Sequence, residues 1–420
     1  MHNSKTFCMH PFTGLATRED GAVQVCCRSH PIGWIQKESL EDIWNNENMC
    51  RIRNQVLNDE RPKECEPCFG LEDQGVESLR QRHIKGVIPE ARINLYPNAL
   101  DELREDYTMP FKIPTMEIKL NNLCNLKCRM CHPMDSTSWN DWLEVEEFYE
   151  KENNFMVKSI RDLNLINKPY LGEFDDSDNW WDSFEKLLPY FRRVEFAGGE
   201  PLMDPQHYKI LDMLKPYGDQ IEIKYATNLT TLGKSNRTVY DYWPNFKSVA
   251  VNVSIDGMGD SYEYIRGNAS YVELIHNIKE IQLLPNISRI VGAVAVQVSN
   301  VLVLHKMIRY FLDDLGIVFY TNMVKYPNVL SIQTLPKDLK ILVTNNLREV
   351  EVELYKFSLV KANPILLEIT KEQINGVINF LWAKDENHLW NDTLEFNKRL
   401  DASRNSRKFI EVTPEFKDYV

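Results

Sequence analysis

From Thr115 onward the chain alternates between two kinds of pattern. In short runs apolar residues fall at every second position or nearly continuously, which predicts strands at Thr115–Leu120, Arg193–Ala197, Ile221–Ala226, Ser248–Ile255, Ile290–Val298 and Gly316–Phe319. In longer runs they return every three or four positions, which predicts helices, among them Gln206–Lys215, Tyr271–Leu283 and Val301–Leu315. A strand–helix series of this kind predicts an α/β domain with a largely parallel sheet and right-handed crossovers. Six units are too few to close an eight-stranded barrel and enough for an open one. In either arrangement ligands gather at the C-terminal ends of the strands.

Three stretches depart from this series. About 60 residues separate Cys131 from Arg193, more than one crossover helix needs. This stretch is acidic and aromatic, and it predicts an insertion over about 140–180, either an elaborated crossover or a lid carrying Trp180 and Trp181. Beyond residue 330 no strand series continues. Lys337–Asn345, Thr370–Trp382 and Leu394–Arg407 predict a helical tail that packs across the sheet or closes its open edge. Ahead of the series, Ser39–Asn58 has an amphipathic helical pattern with Leu40, Ile43, Trp44, Ile52 and Val56 inward. Residues 1–75 otherwise hold few apolar runs and need a metal centre, or packing against the rest, to be ordered. Residues 76–114 read as a connector punctuated by Pro89, Pro97, Pro110 and Pro114. The expected organisation is thus 1–75, 76–114, 115–330 and 331–420.

Composition narrows the function. With 420 residues and 43% hydrophobic content the chain can fill a sizeable core. Its net charge of −12 excludes a globally basic surface for nucleic acid. No apolar run is long enough to span a membrane, and Met1–Cys8 lacks the apolar region of a signal peptide, so a cytoplasmic protein is expected. All nine cysteines fall in the first 131 residues: Cys8, Cys26, Cys27, Cys50, Cys65, Cys68, Cys124, Cys128 and Cys131. An odd count in a reducing compartment argues for metal or cluster ligation rather than a disulfide scaffold.

Cys124, Cys128 and Cys131 follow the first predicted strand in NNLCNLKCRMCHP. Three thiolates at this spacing can hold three irons of a four-iron cluster and leave the fourth iron open. Zinc is the alternative, with His132 as fourth ligand, although a residue adjacent to Cys131 is poorly placed to close the tetrahedron.

These residues resemble the motif of the radical SAM enzymes, and the chain is similar to those that carry a twitch or SPASM-like auxiliary-cluster module. The family's aromatic residue before the last cysteine is Met130 here, which fills the same apolar space. The resemblance implies a partial (β/α)6 barrel. It implies an open [4Fe-4S] cluster that cleaves S-adenosyl-L-methionine (SAM), a one-electron donor such as flavodoxin or ferredoxin, and a small-molecule or peptide substrate. Gly198, Gly199, Glu200 and Pro201 resemble the family's GGE element, with Glu200 facing the SAM ammonium. Thr227 and Asn228 after the third strand, and Ser254 and Asp256 after the fourth, then become SAM or substrate contacts. Arg266 becomes a partner for a SAM or substrate carboxylate, and Gln297 and Asn300 are further strand-end candidates. Single turn or capping roles remain the alternative for Thr227 and Asp256.

Cys8, Gly21, Cys26, Cys65 and Cys68 resemble the first part of a SPASM motif, placed here before the radical SAM region rather than after it. Four thiolates imply one closed auxiliary [4Fe-4S] cluster, with zinc as the alternative. Cys26 is preferred to its neighbour Cys27 by its spacing from Gly21, and Cys50 is expected on the buried helix face. The leading reading is an enzyme that reductively cleaves SAM and abstracts hydrogen from a substrate. The other reading is a non-catalytic zinc-binding nucleic-acid or interaction protein, which the negative charge opposes.

Overall fold

A computed structural model describes residues 4–73, 77–85, 96, 98–151 and 155–419; Pro89 and Pro97 lie outside the described residues. The chain divides into two compact units. The first comprises Met1–Asn122, Leu171–Ala226 and Gly233–Ala250, and the second Leu123–Tyr170, Thr227–Leu232 and Val251–Val420.

In the first unit a short antiparallel meander, β1 (Gly14–Thr17), β2 (Ala22–Gln24) and β3 (Pro31–Trp34), continues into parallel strands β4 (Thr115–Ile118), β5 (Arg193–Phe196) and β6 (Glu222–Thr227). The junction is β1 beside β4, parallel, with Gly14 opposite Thr115. The first turn of the meander requires Gly21, whose φ is +82°. The three parallel strands alternate over most of their length, with Thr115 and Arg193 also buried at the strand starts. Met116, Ile118, Val194, Phe196, Ile223 and Tyr225 are buried on one face. Glu117, Glu195 and Lys224 stand in register on the other, with Lys224 Nζ 2.8 Å from Glu195 Oε2.

The pattern Ser39–Asn58 forms two helices, Leu40–Trp44 and Glu47–Leu57, because Asn46 interrupts it as an N-cap accepting from Met49 N at 3.0 Å. All five predicted inward residues are buried. Arg53 is buried with them, lying over Trp44 and donating to Pro11 O at 2.9 Å and Trp44 O at 2.8 Å. The acidic insertion forms helices Trp142–Glu150 and Phe155–Asp162 in the second unit and Asp178–Leu187 in the first. Trp180 is fully buried between Phe174 and Phe184, so it is a core residue and not a lid contact. Trp181 is half-buried beneath Lys209, whose Nζ lies 3.4 Å from the ring centre.

Between β6 and the next long strand the chain makes a small hairpin, β7 (Gly233–Lys234) with β8 (Arg237–Thr238). Strand β9 (Ser248–Ser254) begins in the first unit and ends in the second, where β10 (Ile287–Val296) and β11 (Val318–Met323) run parallel to each other. The predicted tail is helical over Lys337–Glu353, Ile365–Ala383 and Trp390–Arg404. Gln373 in the second of these accepts hydrogen bonds from Thr321 N and Oγ1 of β11 at 2.8 and 2.9 Å. The tail thereby caps a strand that would otherwise present a bare edge.

Candidate functional site

The second unit holds the cysteine triad. Cys124 and Cys128 are buried with Leu126, and Met130, Cys131 and Ala269 pack against them. The loop is pinned by its own polar groups. Ser138 Oγ donates to Cys124 O at 2.7 Å, Ser136 Oγ to Leu126 O at 2.6 Å, and Trp139 Nε1 to Cys128 O at 2.7 Å. Nitrogen donors also face the sulfurs: Leu126 N is 3.5 Å and Asn228 Nδ2 3.7 Å from Cys124 Sγ, and Arg266 Nη1 is 3.7 Å from Cys128 Sγ. The hydrogen bond with Cys131 pulls the Cys128 thiol down to about 7 against the opposing effect of burial, and the Arg266 charge helps. The same pair pushes Cys131 up.

Asn228 and Gln297 contact this loop directly, while Thr227, Asp256 and Asn300 take partners around it. Asn228 bonds Asn125 Oδ1 at 3.1 Å and accepts from Thr230. Thr227 Oγ1 accepts from Leu229 N at 2.9 Å, a turn role. Asp256 is fully buried, paired to Arg266 at 2.7 Å and accepting from Ala295 N at 2.6 Å. Burial pushes its carboxyl up, opposed by Arg266. Asn300 bonds Asp256 O and Ala295 O, both at 2.9 Å, and Gln297 Nε2 is 3.8 Å from Met130 Sδ. Ser254 is half-buried at the end of β9. The Asp256–Arg266 pair thus faces a cluster ligand, a placement that strand-end position alone did not reveal.

Gly198, Gly199, Glu200 and Pro201 lie in the first unit after β5. Gly198 has φ +113°, and a Cβ there would sit 3.0 Å from Asn121 O, so the backbone approach needs glycine. Glu200 is buried and accepts from Leu202 N at 3.0 Å, capping the short Pro201–Met203 turn.

The first unit also holds the second cysteine group. Cys8, Cys26, Cys65 and Cys68 line one cavity of about 420 Å³ together with His10, Ser29 and Arg80. Burial pushes Cys8 up to about 12, and the neighbouring Cys26 adds to it. Cys65 is pushed up by burial and then by Cys8, Cys26 and Cys68. Burial thus favours the neutral thiol at Cys8 and Cys65, and a cationic centre bound among the four cysteines would favour the thiolates. Among the described residues no three His, Cys, Asp or Glu side chains converge on a single-ion point. Cys27 is exposed, faces Glu117 rather than the cavity, and is not among its lining residues. Cys50 is half-buried, its sulfur 3.4 Å from Asn45 O.

The cysteines of this α/β chain thus fall into a triad after a barrel-type strand and a separate four-cysteine cavity. Comparison with known proteins makes this specific. Residues 118–292 match the radical SAM superfamily, and residues 8–69 match the SPASM iron–sulfur cluster-binding domain. The chain is a radical SAM enzyme with a SPASM-type auxiliary iron–sulfur module on the N-terminal side of an α/β partial barrel. No curated protein matches it. Among solved structures, the crystal structure of Streptococcus suis SuiB bound to precursor peptide SuiA is similar at 14% identity, over 78% of this chain and 67% of that chain, with a TM-score of 0.33. A likeness of that size carries no argument about substrate.

Proposed function

We propose that this enzyme reductively cleaves SAM and modifies a peptide substrate by hydrogen-atom abstraction. The observation that carries the reading is the clustering of Cys124, Cys128 and Cys131 around Leu126, with Arg266 Nη1 3.7 Å from Cys128 Sγ. Cys124, Cys128 and Cys131 would hold a four-iron cluster, which would supply the electron for reductive cleavage of SAM. The chain's residues hold and orient the reactants. Met130, Thr227, Asn228 and Ser254 are assigned SAM contacts, a role that the resemblance to the family's GGE element would also give Gly198, Gly199, Glu200 and Pro201. Arg266, fixed by Asp256, places positive charge against Cys128.

Cys8, Cys26, Cys65 and Cys68 hold a closed auxiliary [4Fe-4S] cluster. Iron is favoured by the resemblance of their spacing to a SPASM motif, with one zinc as the alternative. The organisation 1–75 module, 76–114 connector, 115–330 radical core and 331–420 helical region follows this division of labour. The auxiliary module beside a radical SAM region supports a peptide substrate. The odd number of cysteines, clustered in the first 131 residues, supports a reducing cytoplasm, where a flavodoxin- or ferredoxin-type donor would supply electrons.

The test is anaerobic reconstitution followed by iron, sulfide and product analysis. About eight irons per chain and reductant-dependent 5′-deoxyadenosine are expected. Cys124→Ala should lose about four irons and the product, Cys26→Ser about four irons, and Cys27→Ser none. Absence of product from protein with both clusters intact would sink the proposal.

A further inference from the structure

The loop that carries the triad is gripped by a helix, Trp390–Arg404, that lies outside both family matches. Arg129 stands between Cys128 and Met130 and has no exposed surface. Its guanidinium lies 3.6 Å from the centre of the Tyr264 ring. Nε donates to Tyr264 O at 3.2 Å, Nη1 to Asn397 Oδ1 at 3.2 Å, and Nη2 pairs with Asp401. Asp401 also accepts from Phe409 N at 2.8 Å, which fixes the carboxylate from its far side.

One turn further along the helix, Arg404 Nη1 donates to Lys127 O at 2.7 Å and Nε to Asp141 Oδ2 at 2.8 Å. Its guanidinium lies over Trp139, the residue that holds Cys128 O. The loop backbone is tied on another side by Lys127 N to Gly267 O at 3.1 Å and Arg129 N to Ile265 O at 2.9 Å. The peptide groups on either side of Cys128 are thus fixed, with Lys127 O held by Arg404 and Arg129 anchored through both its backbone N–H and its side chain.

A buried ion pair is weak evidence for stability, since apolar residues of similar volume often serve as well. It does fix geometry, because a planar guanidinium satisfied on several sides has one orientation. We propose that Arg129, Asp401 and Arg404 are positioning residues for the open cluster: they hold loop 124–131 so that its three sulfurs are aimed before iron arrives. The C-terminal helix is then part of the catalytic unit. This rests on the triad being the open-cluster site.

The test uses the reconstituted full-length chain and its Asp401→Ala, Asp401→Glu, Arg404→Lys and Cys124→Ala variants, followed by iron content and by electron paramagnetic resonance of the reduced protein with and without SAM. Asp401→Ala is expected to lose the SAM-responsive signal while keeping the auxiliary one, with cluster retention at the triad about 10- to 100-fold weaker. Asp401→Glu, which keeps the charge, is expected to restore most of it, and Arg404→Lys to fall between. The proposal is overturned if Asp401→Ala keeps the wild-type SAM response. It is equally overturned if both clusters are lost together and Asp401→Glu restores neither, since that is general destabilisation. The reading of the triad fails separately, when Cys124→Ala retains the SAM response shown by the wild type.

Discussion

Single residues in this protein owe their roles to burial more than to identity. His207 is 1% exposed, bonded through Nε2 to Tyr225 Oη at 2.8 Å, and packed against Phe196 and Tyr208. Burial pushes its imidazole from 6.5 down to about 3. In the unfolded chain it protonates near the ordinary value, so the unfolded state binds more protons between these limits. The stability it contributes is complete above pH 6.5 and is lost as pH falls towards 3. His207→Gln should therefore flatten the acid side of the stability profile: between pH 6.5 and 4 the wild type should lose more of its urea midpoint than the variant. Equal slopes would exclude the effect. At this scale the sequence told residue types well and orientations poorly. The triad was legible because C-x₃-C-x₂-C is local. The burial of Asp256 behind Arg266, and the turn role of Thr227, depend on partners that local spacing does not name.

Elements were legible where they are long and periodic. Strands β4, β5, β6, β9, β10 and β11 all lie where alternation or an apolar run predicted them. Strands β1, β2 and β3, of four, three and four residues, were not read, because segments so short show no period and owe their conformation to pairing. Their one readable signal was Gly21. A side chain at φ +82° is strained, and a Cβ would press on the Gln36 amide. Gly21→Ala is expected to cost about 1–2 kcal/mol in chemical denaturation. The amphipathic pattern over 39–58 was right about which residues face inward and wrong about continuity, since the Asn45–Asn46 pair ends one helix and caps the next. The contact of Arg129 with Asp401 spans 272 positions and leaves no trace in either local pattern.

For the molecule as a whole, two centres imply two kinds of dependence on metal. In the N-terminal region the cavity is built by residues from Thr6 to Arg80, and burial together with the neighbouring cysteines raises the ionisation cost of Cys8 and Cys65. Iron chelation should therefore lower the melting temperature and expose residues 4–73 to proteolysis before residues 251–419. Mass spectrometry of limited digests reads this directly, and cleavage in the opposite order would refute it. Among the described residues no helix is long and apolar enough to cross a membrane.

The parallel pairing of Gly14 with Thr115 has a consequence in time. A ribosome adding about 5–20 residues per second needs roughly 5–20 s to go from one partner to the other. Cys68, the last of the four N-terminal cysteines, is made a little past the middle of that interval, while one side of β1 still waits for its neighbour. For the remainder of it all four thiols sit on a nascent segment whose sheet is unfinished.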